Sequence, residues 1–442
     1  MLAAGRCSGP TCSGAMSNNA RRFVSRLTHN TLALILAGGR GSRLGVLTDW
    51  RTKPAVPFGG KFRIIDFTLS NCLNSGIRRI GVLTQYKSHS LIQHLLQGWS
   101  RLSAERGEFI DIIPAQQWLD EDSWYQGTAD AVFQCLDIIE AYKPEYVLIL
   151  AGDHIYAMDY GETLAAHVSS NADFTIACNL SPKEEARQFG VMQVDEDDRV
   201  IEFAEKPDKP KTLPGSPDTA LVSMGIYVVS FDYLRDQLRR DANDSSSGHD
   251  FGKDLIPYAI ANGDHLQAYP FRASATNGTG YWRDIGTIDA YYEASLEVLS
   301  AEPPIDLYDP NWPIRTYQPQ LPAARFIGAG QRCRVEDAMV SGGCIIEKSD
   351  LERSLLYSNV KVGEGCDLQG VLALPGCEIG PGCRLRGVIL DNGCVVPEGT
   401  VIGEDSRVDK QRFDISERGI VVVNREMLGQ GTGYQTPFES EG

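Results

Sequence analysis

From Thr31 the chain runs apolar over residues 32–36 and then breaks into Ala37-Gly38-Gly39. This is the pattern of a strand buried on both faces that feeds a glycine-rich turn. Similar apolar runs follow at 80–84, 146–150 and 174–177, separated by amphipathic stretches such as 90–98 and 129–142. Strands alternating with helices predict an α/β layer whose ligands bind at the carboxyl ends of the strands.

Residues 301–322 hold six prolines and little periodicity, which predicts a linker. Beyond it the grammar changes. Val362, Leu368 and Leu374 fall six apart, as do Cys377, Cys383, Ile389, Val395 and Val401, and glycine precedes the cysteine at 344, 366, 377, 383 and 394. A six-residue period of small or β-branched residues suits the three-sided coil of a parallel β-helix, each turn stacking the same inward positions. A β-sandwich with chance spacing is the alternative, whereas helices are disfavoured by the glycine and proline content.

The 442 residues are 42% apolar and 23% charged, enough for two or three packed domains. A net charge of −16 argues against a nucleic-acid partner, although a cleft can still be locally basic. No apolar run reaches the roughly 18 residues that cross a bilayer, so a soluble protein without a membrane partner is expected. Residues 1–30 contain four arginines and no acid and read as a loose extension, with Met16 as a candidate start. Eleven cysteines, six of them between Cys333 and Cys394, include no CxxC pair. They are expected as reduced, buried thiols that fill the coil, in a cytoplasmic protein.

Four clusters can carry chemistry. Gly38, Gly39 and Gly41, with Arg43 and then Lys53, would let backbone N–H groups approach phosphate oxygens while two cations neutralise a polyphosphate. A tight strand-to-helix turn is the structural alternative. The run 148–154 ends an apolar strand in Asp153, which could hold Mg²⁺ beside a substrate phosphate or simply cap a helix. Asp284, in the segment 281–287, could be a second metal ligand or part of a turn. Glu205 and Lys206 end an alternating strand; Lys206 could grip a sugar phosphate or be a solvated strand end. The seven histidines form no HxH or HExxH pair, and His154 reads as a local hydrogen-bonding residue. No nucleophile triad is evident, which favours direct displacement.

GGRGSRL (38–44), KPAVPFGGKFRIIDFTLSNCLNSGI (53–77), WYQGTADAV (124–132), LAGDHIY (150–156), FGVM (189–192), EKP (205–207), SMGIY (223–227), HDFGKDLIP (249–257), YWRDIGT (281–287) and NWPIRTY (311–317) together resemble the bacterial glucose-1-phosphate adenylyltransferases, over about residues 31–428. The resemblance implies a Rossmann-like nucleotidyltransferase domain with a mixed, mainly parallel sheet over 31–300, then the linker. A left-handed parallel β-helix for assembly and regulation, with a C-terminal tail, would fill 323–442. It implies ATP and glucose 1-phosphate as substrates, ADP-glucose for glycogen synthesis as product, Mg²⁺ as cofactor and a homotetramer. Arg43, Lys53 and Asp153 would be catalytic, with Asp153 and Asp284 on the metal. Tyr125, Gly190, Glu205, Lys206, Ser223 and Asp250 match the sugar-phosphate site; Gly38, Gly39, Gly41, Arg43, Gln116, Trp124 and Gly127 match the nucleotide side.

Phosphate-binding residues do not select a base, so a relative using another nucleoside triphosphate stays open. A non-catalytic regulatory subunit of the same fold is also open, but Arg43, Lys53, Asp153, Lys206 and Asp284 are all present. An acyltransferase coil is disfavoured because residues 323–410 contain no histidine. Arg51, Arg63 and Arg386 match effector cations of the family, for phosphorylated or carboxylated metabolites. Enteric relatives carry Lys, His and Arg where this chain has Trp50, Pro57 and Ala141, so a weak response to fructose 1,6-bisphosphate and AMP is expected.

Overall fold

The computed structural model describes residues 18–39, 41–100, 102–115, 125–271, 280–328 and 333–431. The expected runs at 32–36, 80–84 and 146–150 form the strands Thr31–Leu36, Arg79–Thr84 and Tyr146–Ala151. They lie side by side in parallel, with Phe109–Pro114 next to Arg79–Thr84 at one side of the sheet. Their side chains are almost all buried, as a strand covered on both faces requires.

The sheet is mixed because of one long strand, Thr219–Ser230. It runs antiparallel to Tyr146–Ala151 through residues 227–230 and to Gly190–Val194 through Leu221 and Val222. It is antiparallel also to Phe174–Pro182, which in turn pairs in parallel with Leu266–Pro270. Between Ser223 and Ile226 its register shifts, and Gly225 there has φ +67°. A side chain rarely adopts that angle, so glycine allows the bulge.

Two expectations change. The amphipathic stretch 129–142 is two helices, Thr128–Phe133 and Leu136–Tyr142, because Cys135 (φ −100°, ψ 8°) leaves helical geometry at the junction. Within the residues expected as a loose extension, Asn18–His29 is a helix whose Leu27 and Thr28 are buried. Its Val24 packs so closely on Gly161 that a Cβ there would lie 2.8 Å away.

The six-residue period does mark a coil, with parallel rungs, but its step is shorter than three sixes. Asp350, Asp367, Arg384 and Val401 pair in succession, each 17 positions after the last (367 − 350). One side of each turn is therefore a residue short, and the inward set slips. Val395 is 45% exposed, while Cys394 and Val396 fill the interior. Cys344, Cys366, Cys377 and Cys383 point inward too, as free thiols that donate to carbonyls of neighbouring turns at 2.9–3.1 Å.

The coil and the sheet domain share one apolar core. Tyr291 and Tyr292, on the helix Ile288–Glu297, pack with Leu355, Tyr357, Leu372 and Ile389 of the coil. Tyr292 donates its hydroxyl to Gly370 O at 2.7 Å. The proline-rich segment is tied back as well, since Trp312 Nε1 donates to Asn71 Oδ1 at 2.8 Å and Arg315 N to Ser70 Oγ. Among the described residues, no helix is long and apolar enough to cross a membrane.

His167 is enclosed between Thr175 Oγ1 (2.8 Å) and Ser230 Oγ (3.3 Å), and burial holds its pKa down at about 4. Below pH 6.5 the unfolded chain binds the proton more readily than the folded one, so stability falls as pH drops from 6.5 towards 4. Thermal midpoints measured between pH 6.5 and 5 should show a shallower decline for His167→Gln than for the wild type. Equal slopes would remove His167 as the cause.

Candidate active site

A short antiparallel ribbon builds the centre of the site. The strand Tyr146–Ala151 ends at the sheet's carboxyl edge, the chain turns through Gly152 and Asp153, and His154–Tyr156 pairs with Trp282–Asp284. Gly152 fits because a Cβ there would lie 3.0 Å from Ile35 Cγ2 and 3.2 Å from Leu36 O. Register sets Asp284 opposite His154, which brings Asp153 and Asp284 together although they are far apart in sequence. The nearby helix cap is Asp159, which accepts from Gly161 N at 2.8 Å; Asp153 is left for the cleft.

Lys53 joins the two acids. Its Nζ donates to Asp153 Oδ2 at 2.9 Å and to Asp284 Oδ1 at 2.6 Å, and its side chain is only 7% exposed. Burial would lower the Lys53 pKa, but Asp153 and Asp284 outweigh it and hold the ammonium above the ordinary lysine value. Burial likewise would raise the Asp153 pKa, yet the charge of Lys53, and then His154, keep it well below the usual carboxylate range. His154 faces the same pair, with Nε2 3.5 Å from Asp153 Oδ1 and 3.9 Å from Asp284 Oδ1. Its ring stands edge-on to Trp282, with centroids 5.1 Å apart.

The glycine-rich turn lies against this cluster. Gly41 (φ +61°) sits so close to Lys53 that a Cβ would lie 2.9 Å from Lys53 Cβ, and Gly38 packs on Gln85. Among the described residues, nothing beyond its chain neighbours lies within 4 Å of a Cβ position on Gly39. Arg43 reaches over Gly286, its Nη2 3.0 Å from where a Cβ would stand, on the flank that also holds Asp284 Oδ2 (3.1 Å).

Residues matched to a sugar phosphate form a second group. Glu205 Oε2 fills the space that side chains on Gly190 and Gly252 would take, 2.9 Å and 2.7 Å from their Cβ positions. Asp250 accepts from Gly252 N and Lys253 N and from Thr128 Oγ1. Ser223 Oγ accepts from Gly225 N at the bulge, and Gly225 lies 3.9 Å from His154 Cε1 by its Cβ position, so the two groups adjoin. Lys206 has φ +48° at the strand end, is 61% exposed and pairs with Glu205 at 3.1 Å. Tyr125 is half-buried, its hydroxyl 3.9 Å from Cys135 Sγ, and burial pushes its pKa up. Gln116 and Trp124 lie outside the described residues.

The three effector candidates are each engaged within the chain. Arg51 pairs with Asp391 of the coil at 2.9 Å and donates to Asn392 Oδ1; Arg63 donates to Ser90 O; Arg386 pairs with Asp367. His154 is the residue that sequence reasoning undervalued. Its position next to Asp153 was visible, but its approach to Asp284 depends on the ribbon.

The cluster has the chemistry of a divalent-cation site. Asp153, His154 and Asp284 offer ligand atoms that all lie within 4.8 Å of one another, and a cationic group, the Lys53 ammonium, is already drawn into the carboxylate pair. Hard carboxylate oxygens in a cleft beside a phosphate-type turn suit such an ion.

Residues 32–301 match the nucleotidyl transferase family and residues 322–423 the GlmU-like C-terminal hexapeptide family. Among curated proteins, glucose-1-phosphate adenylyltransferase 1 of Alkalilimnicola ehrlichii is 58% identical over 415 residues, covering 93% of this chain and 98% of the relative. Glucose-1-phosphate adenylyltransferases of Nitrosococcus oceani and Nitrosomonas europaea are 55% and 52% identical, each covering at least 94% of this chain and 98% of the relative.

Gly127 supplies a test of how the second group is held. A Cβ there would lie 2.2 Å from His249 O, a backbone atom that accepts from Ala129 N at the start of the following helix. Gly127→Ala should therefore displace that helix start and reduce turnover by at least about tenfold, a barrier change near 1.4 kcal/mol. Turnover close to wild type would show that the loop yields freely.

Proposed function

The chain belongs to the nucleotidyl transferase family and, within it, to the glucose-1-phosphate adenylyltransferases, and on that footing we propose how its residues divide the work of transferring the adenylyl group of ATP to α-D-glucose 1-phosphate. The products are ADP-glucose, a donor for glycogen synthesis, and pyrophosphate. The observation that carries the assignment of roles is the convergence of Lys53, Asp153, Asp284 and Arg43 beside a glycine-rich turn at the carboxyl edge of the sheet.

A phosphate oxygen of glucose 1-phosphate attacks the α-phosphorus of ATP; the bond to the β-phosphate oxygen breaks, and pyrophosphate leaves with that electron pair. The backbone of Gly38, Gly39 and Gly41 accommodates the triphosphate. Arg43 and Lys53 neutralise charge that moves onto the departing pyrophosphate. Glu205, Ser223 and Asp250 orient the sugar, with Tyr125 and Gly190 shaping its pocket and Lys206 gripping its phosphate, so that attack is in line. Gln116, Trp124 and Gly127 are assigned to the nucleotide side. Asp153 and Asp284 would hold a divalent cation, for which we favour Mg²⁺; when bound it supplies Lewis-acid neutralisation of phosphate oxygens.

We extend the reading to a homotetramer in the cytoplasm, supported by the exposed Phe326, Val335, Val395 and Val408 on or beside the coil. Regulation by a phosphorylated or carboxylated metabolite at Arg51, Arg63 and Arg386 is part of the same proposal. An anion that reaches Arg51 has to displace Asp391.

Turnover with glucose 1-phosphate should be far higher for ATP than for UTP, GTP or dTTP, and preference for another nucleotide would overturn the ATP assignment. Asp153→Asn should lower pyrophosphate release by at least about 10²-fold, the scale for losing one electrostatic stabiliser. Unchanged turnover would take Asp153 off the metal. Lys206→Ala should mainly raise KM for glucose 1-phosphate while kcat changes little, as expected for a contact made equally in ground and transition states. A matching rise in KM for ATP would point to a different role.

A further inference from the structure

Lys53 has been given two duties that it cannot perform at once. Its ammonium is assigned to the triphosphate, yet its Nζ lies 2.9 Å from Asp153 Oδ2 and 2.6 Å from Asp284 Oδ1, on the two carboxylates assigned to the cation. We propose that Lys53 is a resident placeholder for the divalent cation: its ammonium bridges the carboxylates that the ion would bond, and the ion enters as the triphosphate draws Lys53 off them. This rests on the assignment of Asp153 and Asp284 as metal carboxylates.

Exclusion follows from charge and size. A small divalent ion bonds carboxylate oxygens at about 2.0–2.1 Å. An ammonium held within hydrogen-bond distance of the same two carboxylates would then face a doubly charged neighbour at a few ångström, a repulsion that a half-buried site screens poorly. The pair also requires some cation, because two carboxylates this close with neither lysine nor metal between them repel each other.

The surroundings favour a moving head on a fixed root. Lys53 Cβ is held against Gly41, and Gly41 O is itself bonded by Thr48 Oγ1 at 3.2 Å. The root of the lysine therefore adjoins the turn assigned to the phosphates, and only the flexible end of the side chain has to change partners. His154 Nε2 remains facing both acids when the ammonium leaves, a third polar group for the entering ion. A permanent structural ion pair would give the opposite behaviour, with Lys53 needed for the carboxylates to approach each other at all.

The test is Mn²⁺ binding to the full-length enzyme without nucleotide, read from the paramagnetic resonance signal of the free ion. Lys53→Met should bind one Mn²⁺ at least about tenfold tighter than the wild type, one step of 1.4 kcal/mol. Adding Asp153→Asn to that variant should abolish the gain. Binding by Lys53→Met that is no tighter than wild type overturns the placeholder. Lys53→Gln, which keeps a donor between the acids, is measured in parallel in case the methionine variant folds poorly. For both variants Mn²⁺ should raise the melting temperature more than it does for the wild type, and a smaller rise again overturns the proposal. Enzyme-bound Mn²⁺ in the presence of α,β-methylene-ATP, counted beyond the Mn²⁺ that the nucleotide chelates by itself, separates the two levels. Its loss in Asp153→Asn leaves the metal carboxylates standing even if the placeholder fails, whereas its survival means the metal assignment itself is wrong and the placeholder falls with it.

Discussion

Two carboxylates that share a half-buried cleft are tolerable only with positive charge between them, and that requirement organises the site. Asp153 comes from the end of a central strand and Asp284 from a ribbon laid across the sheet edge, while Lys53 rises from the segment after the glycine-rich turn. Each of these three segments could stand elsewhere on its own. Positive charge between the two acids, supplied here by Lys53, lets the turn, the strand edge and the ribbon meet at one point. Arg43 and His154 then find their places around that point rather than defining it.

The same ribbon couples the site to the coil by covalent continuity. Asp284 ends the strand Trp282–Asp284, and the helix that packs on the coil begins at Ile288. Glu297 at the far end of that helix reaches back to accept from Tyr281 OH and Arg283 Nη2, both at 2.6 Å. The helix is thus stapled at both ends to the segment that carries Asp284, and its middle is embedded in the apolar core shared with the coil. A two-part molecule of this kind does not have a catalytic half and a detachable half.

What could be read in advance divides along the range of the interactions. Thr31–Leu36 and Tyr146–Ala151 were legible because a strand buried on both faces must be apolar at every position. The coil was legible because repetition survives local noise. Its step of 17 was not: a six-residue period predicts Val395 inside, and only the pairing of Glu378 with Val395 shows where a residue is missing. The break at Cys135 escaped because residues 129–142 keep their amphipathic spacing through it. The strand Thr219–Ser230 carries Ser223 and Gly225 at its bulge, which disrupt the plain apolar signature. At the site the charged residues announced themselves by type, and their family resemblance suggested roles. That Lys53 would sit on Asp153 and Asp284 could not be read from spacing, since the contact spans 100 and 231 positions.

Those separations have a consequence for how the molecule comes into being. Asp284 emerges from the ribosome 131 residues after Asp153 (284 − 153), an interval of about 7 to 26 s at ordinary rates of synthesis. During it the central strands can already pair, because Thr31–Leu36, Arg79–Thr84 and Tyr146–Ala151 have all been made. The nascent sheet therefore carries Lys53 and Asp153 with half of their eventual charge partnership. The ribbon can close only when the last strand of the domain arrives, after the entropic cost of a long loop has been met. A chain truncated just before Trp282 would hold every strand of the large sheet and lack Asp284, so closure of the ribbon reports that synthesis of the domain has been completed.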